Sequence, residues 1–446
     1  MRYLRSWECD IKEELKWFKD SFSIFGNIST TQSAKKTKDI FGEALSPKEC
    51  VSRIVSDIKE KGDDALLFYT EKLDGVPLSP EDIRVKESEI EEAYNNVTSA
   101  FINAIRKARE NIRRFQKHIY QEEITCLELE DLSLGVRYGA IEKVGIYIPG
   151  GTASYPSTVL MNAVPAKVAG VKKIEMVTPP RKDGTVSPER LVAANEVGVD
   201  EIYKIGGAHA IAALAFGTKT IPKVDKIVGP GNIFVTLAKR EVFGYVGIDI
   251  LAGPSEVLII ADDTANPEYV ASDLLSQAEH NPGLPVLVTT SEGLASKVKR
   301  EVSKQLDTLS KRDLIKESLD RYGLIIVAKD ISEVVDISNE LAPEHLQIMV
   351  KNPEAVLNDI KNAGAIFIGE FSPVAVGDYI AGPSHVLPTG GTARFFSGLS
   401  VNDFLKKTSI ISYNKKALKG AANEIITIAE SEGLDAHAQS VKIRLK

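Results

Sequence analysis

Cysteine is scarce. The chain holds three, Cys9, Cys50 and Cys126, far apart and with no CxxC pair, so neither a disulfide framework nor a thiolate zinc site is expected. Long apolar runs are missing too. No uncharged stretch approaches the ~20 residues that span a bilayer, and the opening MRYLRSWECDIKEELKWFKD is charged throughout, without the apolar core of a secretory signal. Nor is there an excess of positive charge: Lys plus Arg gives 55 against 62 for Asp plus Glu, a net −7. That balance argues against a general nucleic-acid binder. No GxGxxG follows any expected strand and no phosphate-loop GxxxxGK motif occurs. These absences leave a cytoplasmic protein with neither nucleic acid nor membrane as partner.

What is present is a globular composition, 43% hydrophobic and 26% charged over 446 residues, a length that at ~150 residues per domain suggests about three domains. The first 120 residues have a helical pattern. Phe101, Ile105, Ala108, Ile112, Phe115 and Ile119 recur in steps of 4, 3, 4, 3 and 4, one apolar stripe whose Lys and Arg neighbours form the solvated face. From about residue 140 short β-branched runs alternate with helical stretches. Strands are expected over 144–148, 173–178, 201–205 and 225–228, with helices over 158–169, 188–197, 208–217 and 232–243. A second series follows, with strands over 256–261, 285–290, 323–328, 346–350 and 365–368 and helices over 266–279, 293–309, 331–341 and 353–363. This rhythm predicts an α/β fold of βαβ units with mostly parallel sheets. After about residue 400 the pattern returns to helices, Leu418, Ala421, Ile425 and Ile428 forming one stripe.

Only six histidines occur, and five of them (His209, His280, His345, His385 and His437) fall in Gly- or Pro-marked turns or at element ends. Together they suggest a metal or acid/base site assembled from distant segments. Gln277 and His280 are three residues apart at a helix end, so both face one side; an amide oxygen and an imidazole there suit a divalent ion such as zinc, although a cap or packing role fits the same spacing. Glu344 and His345 adjoin in a turn that feeds a strand, and a carboxylate beside an imidazole at the C-terminal edge of a parallel sheet is where α/β enzymes place acid/base groups. The alternative is a helix cap and an exposed loop. The glycine-punctuated loop from Gly377 to His385 contains Asp378 and His385, which no regular element requires. His437 lies in a turn where Gly433 also fits a simple helix cap. Three glycine turns, Ile148–Thr152, Gly206-Gly207-Ala208 and Gly229-Pro230-Gly231-Asn232, each stand between an expected strand and helix, where backbone N–H groups attract phosphate. Steric need alone also places glycine there.

Taken together, the segments GIYIPGGTASYPSTVLMNAVPAKVAGV, VDKIVGPGNIFVTLAKREVFG, IDILAGPSEVLIIAD, SQAEHNP, APEHLQI, GDYIAGPSHVLPT and EGLDAHAQSV resemble the histidinol dehydrogenase family, in the family's order, from about residue 45 onward. The resemblance implies two α/β/α domains with incomplete Rossmann-like parallel sheets plus small helical N- and C-terminal segments. The expected division is 1–40 as a helical segment, 41–146 with 255–399 as the zinc and acid/base domain, 147–254 as the nicotinamide domain, and 400–446 as a C-terminal helical segment. It further implies one zinc per subunit held by Gln277, His280, Asp378 and His437, the last reaching into the partner's site of a homodimer. Ser255, His385 and Glu432 help to hold the substrate, which also meets the zinc-site residues and His345. Tyr147, His209 and Asn232 meet NAD, and Glu344 with His345 supply acid/base chemistry. One departure stands out: this chain has His209 where the family usually carries Gln in GGAQAIAAL, and imidazole cannot offer the amide's paired donor and acceptor.

The implied reaction is a four-electron oxidation of L-histidinol through the aldehyde to L-histidine, reducing two NAD+. His345 is the expected base, since imidazole titrates near working pH, and Glu344 the group that activates water. Zinc serves mainly as a template for the substrate, with Lewis-acid polarisation secondary. Two rival readings stay open on sequence: a related zinc and NAD dehydrogenase acting on another alcohol such as a sulfonated diol, and a zinc hydrolase using the same side chains for water attack. A non-catalytic paralogue is disfavoured, because every matched zinc and acid/base residue is retained.

Overall fold

The computed structural model describes residues 1–22, 37–38, 40–121, 124–151, 154–280 and 282–446. Residues 23–36 and 39 of the amino-terminal segment, together with Thr152, Ala153 and Asn281 of the quoted motifs, therefore lie outside the described residues.

Two all-parallel sheets organise the molecule. The first has five strands, β4 (Lys143–Tyr147), β5 (Lys173–Val177), β6 (Glu201–Tyr203), β7 (Lys226–Val228) and β8 (Gly247–Ile248), in the order β6-β5-β4-β7-β8. The second has six, β1 (Arg2–Arg5), β9 (Ser255–Ala261), β10 (Gly283–Thr289), β11 (Leu324–Val327), β12 (His345–Met349) and β13 (Ala365–Ile368), in the order β1-β11-β10-β9-β12-β13. Helices cover both faces, which is why inner strands such as β10 are buried along their whole length and read as continuous apolar runs rather than alternating ones. The α/β class and its two parallel sheets are as expected from the sequence.

The helix Ser99–His118 shows how the first third is held. Thr98 caps it, its hydroxyl accepting the Phe101 N–H at 3.1 Å, and the apolar stripe buries Ile105, Ala108 and Ile112 in one core with Val144, Ile146 and the helix Pro156–Ala169. The helix Pro47–Lys61 likewise shares a core with Tyr147 and the helix Gly207–Phe216. The helix Ser99–His118 also meets the 380–399 stretch, Asn111 Nδ2 donating to the Ile380 carbonyl at 2.9 Å and Val386 and Leu399 sharing its core, while the helices of 41–146 pack chiefly on the five-stranded sheet. The apolar stripes decide this, because each is covered by helices flanking β4 to β7.

Three other details depart from expectation. The segment before residue 40 opens with strand β1, which lies parallel to β11 as an edge strand. The stretch after 400 is not all helix: β14 (Leu405–Tyr413) pairs antiparallel with β3 (Leu132–Ala140), which pairs with β2 (Ile124–Glu128), forming a separate three-stranded sheet. The helix expected over 353–363 closes early, at Pro353–Leu357. In the first two cases tertiary pairing overrides a weak local preference.

Candidate active site

Glu344 and His345 sit where β12 begins. His345 is the first residue of the strand, in register with Val257 of β9 and Ala365 of β13, so the pair occupies the N-terminal edge of the six-stranded sheet. The expected C-terminal edge is thereby corrected. The reason lies in the connections: the helix Pro267–Ala278 runs back from the far end of β9 and delivers Gln277 and His280 to the edge where β10 starts.

The imidazole of His345 is fixed by its backbone partner. Its Nδ1 lies 3.0 Å from the carbonyl of Glu256, and a carbonyl only accepts, so Nδ1 carries the proton and Nε2 keeps its lone pair. That Nε2 is buried without a hydrogen-bond partner, 3.8 Å from Asp378 Oδ1. Burial lowers the pKa of His345, which favours the neutral ring with the Nε2 lone pair free. Beside it, Glu344 Oε2 accepts from the Ser255 hydroxyl at 2.7 Å and from the Glu256 N–H at 2.9 Å. Burial pushes the Glu344 carboxyl up to about 8.

Glu256 was not singled out from the sequence. Its carboxylate accepts the Glu344 N–H at 3.2 Å and the Gly390 N–H at 3.0 Å, while its carbonyl orients His345. Burial, then the nearby charge of Glu344, raises its pKa to about 8. The only sequence signal was an acid heading the otherwise apolar run SEVLIIA.

Around this pair stand the expected metal ligands. Gln277 Nε2 donates to Ser255 Oγ at 3.1 Å. Since that hydroxyl gives its own proton to Glu344, it must accept from the amide, which leaves Gln277 Oε1 as the free acceptor. His280 keeps an exposed edge just past the helix end, its pKa lowered by desolvation first and by the neighbouring His345 second. Asp378, in the short helix Val374–Tyr379, is raised to about 6 by burial. Its carbonyl accepts from His385 Nδ1 at 3.0 Å, and His385 Nε2 faces Thr158 Oγ1 at 3.3 Å. Burial takes His385 down to about 4. Thr158 belongs to the helix after β4, so this contact joins the two halves of the molecule across the site. Among the described residues, no three His, Cys, Asp or Glu side chains converge as a ready-made metal cluster. Glu432, in the turn that ends the helix Lys415–Ser431, and His437, on the helix Asp435–Lys442, are exposed and outside this gathering.

Tyr147, His209 and Asn232 meet elsewhere, around one cavity of about 460 Å³. Its walls come from the ends of β4 to β7: Tyr147, Gly150 and Gly151 after β4, Pro179 after β5, Gly207 after β6 and Asn232 after β7. This is the crevice outside the carboxyl ends of a parallel sheet whose strand order reverses at β4, the usual place for a nucleotide. Asn232 caps its helix, Oδ1 accepting from Phe234 and Val235 N–H at 3.0 and 3.2 Å. Tyr147 Oη accepts the Gly207 N–H at 3.1 Å. At Gly229 the reading by steric need holds: φ is +114°, and an added methyl would overlap the Tyr147 carbonyl.

A buried neutral imidazole among carboxyl groups, together with a separate nucleotide-sized crevice in a two-sheet α/β fold, fits an oxidoreductase of the dinucleotide-dependent kind. A profile of the family described as histidinol dehydrogenase matches residues 42–445. The chain is 54% identical over 397 residues to "Histidinol dehydrogenase" of Clostridium acetobutylicum, covering 89% of this chain and 92% of that one. It is 51% identical over 420 residues to that of Bacillus cereus, covering 94% and 97%. A crystal structure of histidinol dehydrogenase from Elizabethkingia anophelis superposes with a TM-score of 0.86 at 41% identity, covering 94% of this chain and 96% of that one. The chain belongs to the histidinol dehydrogenase family. Its activity is the dehydrogenation of L-histidinol in histidine biosynthesis, with NAD as the oxidant the family uses.

Proposed function

We propose that the enzyme carries its substrate through both oxidations at one zinc site: L-histidinol, two NAD+ and one water become L-histidine, two NADH and three protons. The observation that carries this reading is the unpartnered Nε2 of His345, held neutral by burial and fixed by the Glu256 carbonyl. A neutral imidazole, a carboxylate and an amide oxygen are donors suited to zinc, and Gln277 Oε1, His280 and Asp378 supply them. When bound, zinc would hold the amino alcohol and polarise it, and nicotinamide would accept hydride. His345 Nε2 takes the alcohol proton in the first oxidation. Glu344 takes a proton from the water that adds to the aldehyde, and its raised pKa makes it a competent base above neutrality. His345 then accepts the proton of the hydrate hydroxyl. His385, anchored by Asp378 and Thr158, flanks the substrate. In the crevice, Tyr147, His209 and Asn232 hold the cofactor.

His437 and Glu432 complete the partner's site in a homodimer. In support, Ile425, Ile428, Leu434 and Ile443 are all more than a third exposed on the C-terminal helices, and Ile411 of β14 is 73% exposed, an apolar face that a second copy would cover. No helix among the described residues is long and apolar enough to cross a membrane, and a cytoplasmic setting goes with a biosynthetic dehydrogenase. The test is stoichiometric. Purified enzyme with limiting L-histidinol, excess NAD+ and zinc should yield two NADH per substrate, and chelation should abolish turnover. One NADH per substrate would overturn the double oxidation, and turnover without nicotinamide would favour a hydrolase.

A further inference from the structure

The crevice of about 460 Å³ includes none of Ser255, His280, Glu344, His345 or Asp378 among its walls. The part of the cofactor it takes is thus the end remote from hydride transfer, the adenosine half, for which the volume is adequate. The apolar residues Ile40, Ile54, Leu73 and Phe234 offer the base a slot, and among the described lining residues a single carboxylate, Asp74, faces the same space. Asp74 closes the helical turn Thr70–Asp74, with Gly75 in the left-handed region just after it. Its Oδ2 lies 3.2 Å from His209 Nε2. A carboxylate accepts, so Nε2 carries the ring proton and Nδ1 is left with its lone pair; Nδ1 is buried without a partner, in a side chain that is 0% exposed. No Lys or Arg is found among the described residues that line the crevice.

We propose that Asp74, held in place by His209, is the group that makes this enzyme choose a dinucleotide with a free ribose 2′-hydroxyl and reject one carrying a 2′-phosphate. The proposal rests on reading the crevice as the cofactor pocket and deepens that reading. A free 2′-hydroxyl donates to the carboxylate. A 2′-phosphate would set a dianion against it in a low-dielectric wall whose described lining residues include no Lys or Arg to balance either charge. His209 is a positioning residue: it ties one carboxylate oxygen and leaves the other for ribose, so the imidazole at the usual Gln position serves the carboxylate rather than replacing an amide contact.

The test uses unreactive ligands, so that it is independent of turnover. Binding of ADP-ribose and of 2′-phospho-ADP-ribose to the full-length enzyme is measured by calorimetry, for wild type, Asp74→Asn and His209→Gln. Wild type should bind ADP-ribose at least tenfold more tightly. Asp74→Asn should shrink that preference at least tenfold, chiefly by gaining affinity for the phosphorylated ligand, which a general loss of structure cannot produce. His209→Gln, whose amide can still donate to Asp74, should keep most of the preference. An unchanged preference in Asp74→Asn with ADP-ribose still bound would overturn the role of Asp74. Failure of ADP-ribose to bind wild type at all, or to compete with NAD+, would instead overturn the cofactor reading of the crevice.

Discussion

Replacing Asp249 by Asn should loosen the cofactor crevice from behind. Asp249 and Lys239 form an ion pair with side chains 2% and 3% exposed, and the pair grips Gly229 by both its polar backbone groups. Asp249 Oδ2 accepts the Gly229 N–H at 2.7 Å, and Lys239 Nζ donates to the Gly229 carbonyl at 3.0 Å. Gly229 opens the turn that leads to Asn232 and lies against the Tyr147 carbonyl, so the grip sets two walls of the crevice at once. The Asn variant keeps the shape but leaves an ammonium buried without its counter-charge, a loss of about 3–5 kcal/mol. At about 2–4 °C per kcal/mol this corresponds to a melting temperature lower by roughly 6–20 °C. The turn should also relax, raising KM for NAD+ several-fold with kcat nearly kept. Adding Lys239→Met removes the stranded charge, so the double variant should be less destabilised than the sum of the single ones. Thermal melts and NAD+ titrations of the four proteins decide the matter. Stability that falls while NAD+ affinity stays unchanged would refute the link between the buried pair and the crevice.

His345→Asn should cut turnover by at least a thousandfold while zinc content, read by elemental analysis, stays at the wild-type level; lost metal would mean that the ring ligates rather than accepts protons. Glu344→Gln should slow oxidation of the aldehyde more than that of the alcohol, measured in separate single-turnover experiments, and equal loss in both would remove Glu344 from water activation. The same variant bears on stability. In metal-free protein the folded state keeps the Glu344 proton up to about pH 8 whereas the unfolded chain releases it near 4.5, so wild type loses stability as pH rises through that window. Urea unfolding from pH 5 to 8 should show a smaller loss for Glu344→Gln. His437→Ala and Glu344→Gln proteins, each inactive, should regain partial activity on mixing; no recovery after subunit exchange is shown by labelling would place His437 in its own subunit's site.

Much of this architecture is legible in the chain because helix-covered parallel strands announce themselves as short apolar runs between helical stripes. The run VLII of β9 and the spaced stripe of 99–118 are such cases. What is not legible depends on partners remote in sequence. Nothing in RYLR says strand until Leu324–Val327 is beside it, and β14 has only an exposed, β-branched run to offer. The site divides the same way. Gln277 and His280 share a helix end and can be paired by spacing, but the edge of the sheet at which they act depends on which way each strand runs. Glu256 and Asp74 escaped notice because an isolated acid carries no pattern; each matters through what folds onto it. His437 lies apart from the other expected ligands within one subunit, a separation that no spacing rule conveys.

The candidate acid/base residues gather at the end at which the strands of the six-stranded sheet set out, away from the opposite rim. The turns leaving β9 and β12, around Asp262 and Lys351, are tied to one another through the Lys351 N–H and the Asp262 carboxylate at 2.9 Å, and the first also to Glu370 through the Asn266 N–H at 3.0 Å; they hold none of the candidate site residues. Foreign loops, reporter peptides or tethers to a solid support grafted onto that rim would ride on the enzyme without entering its chemistry.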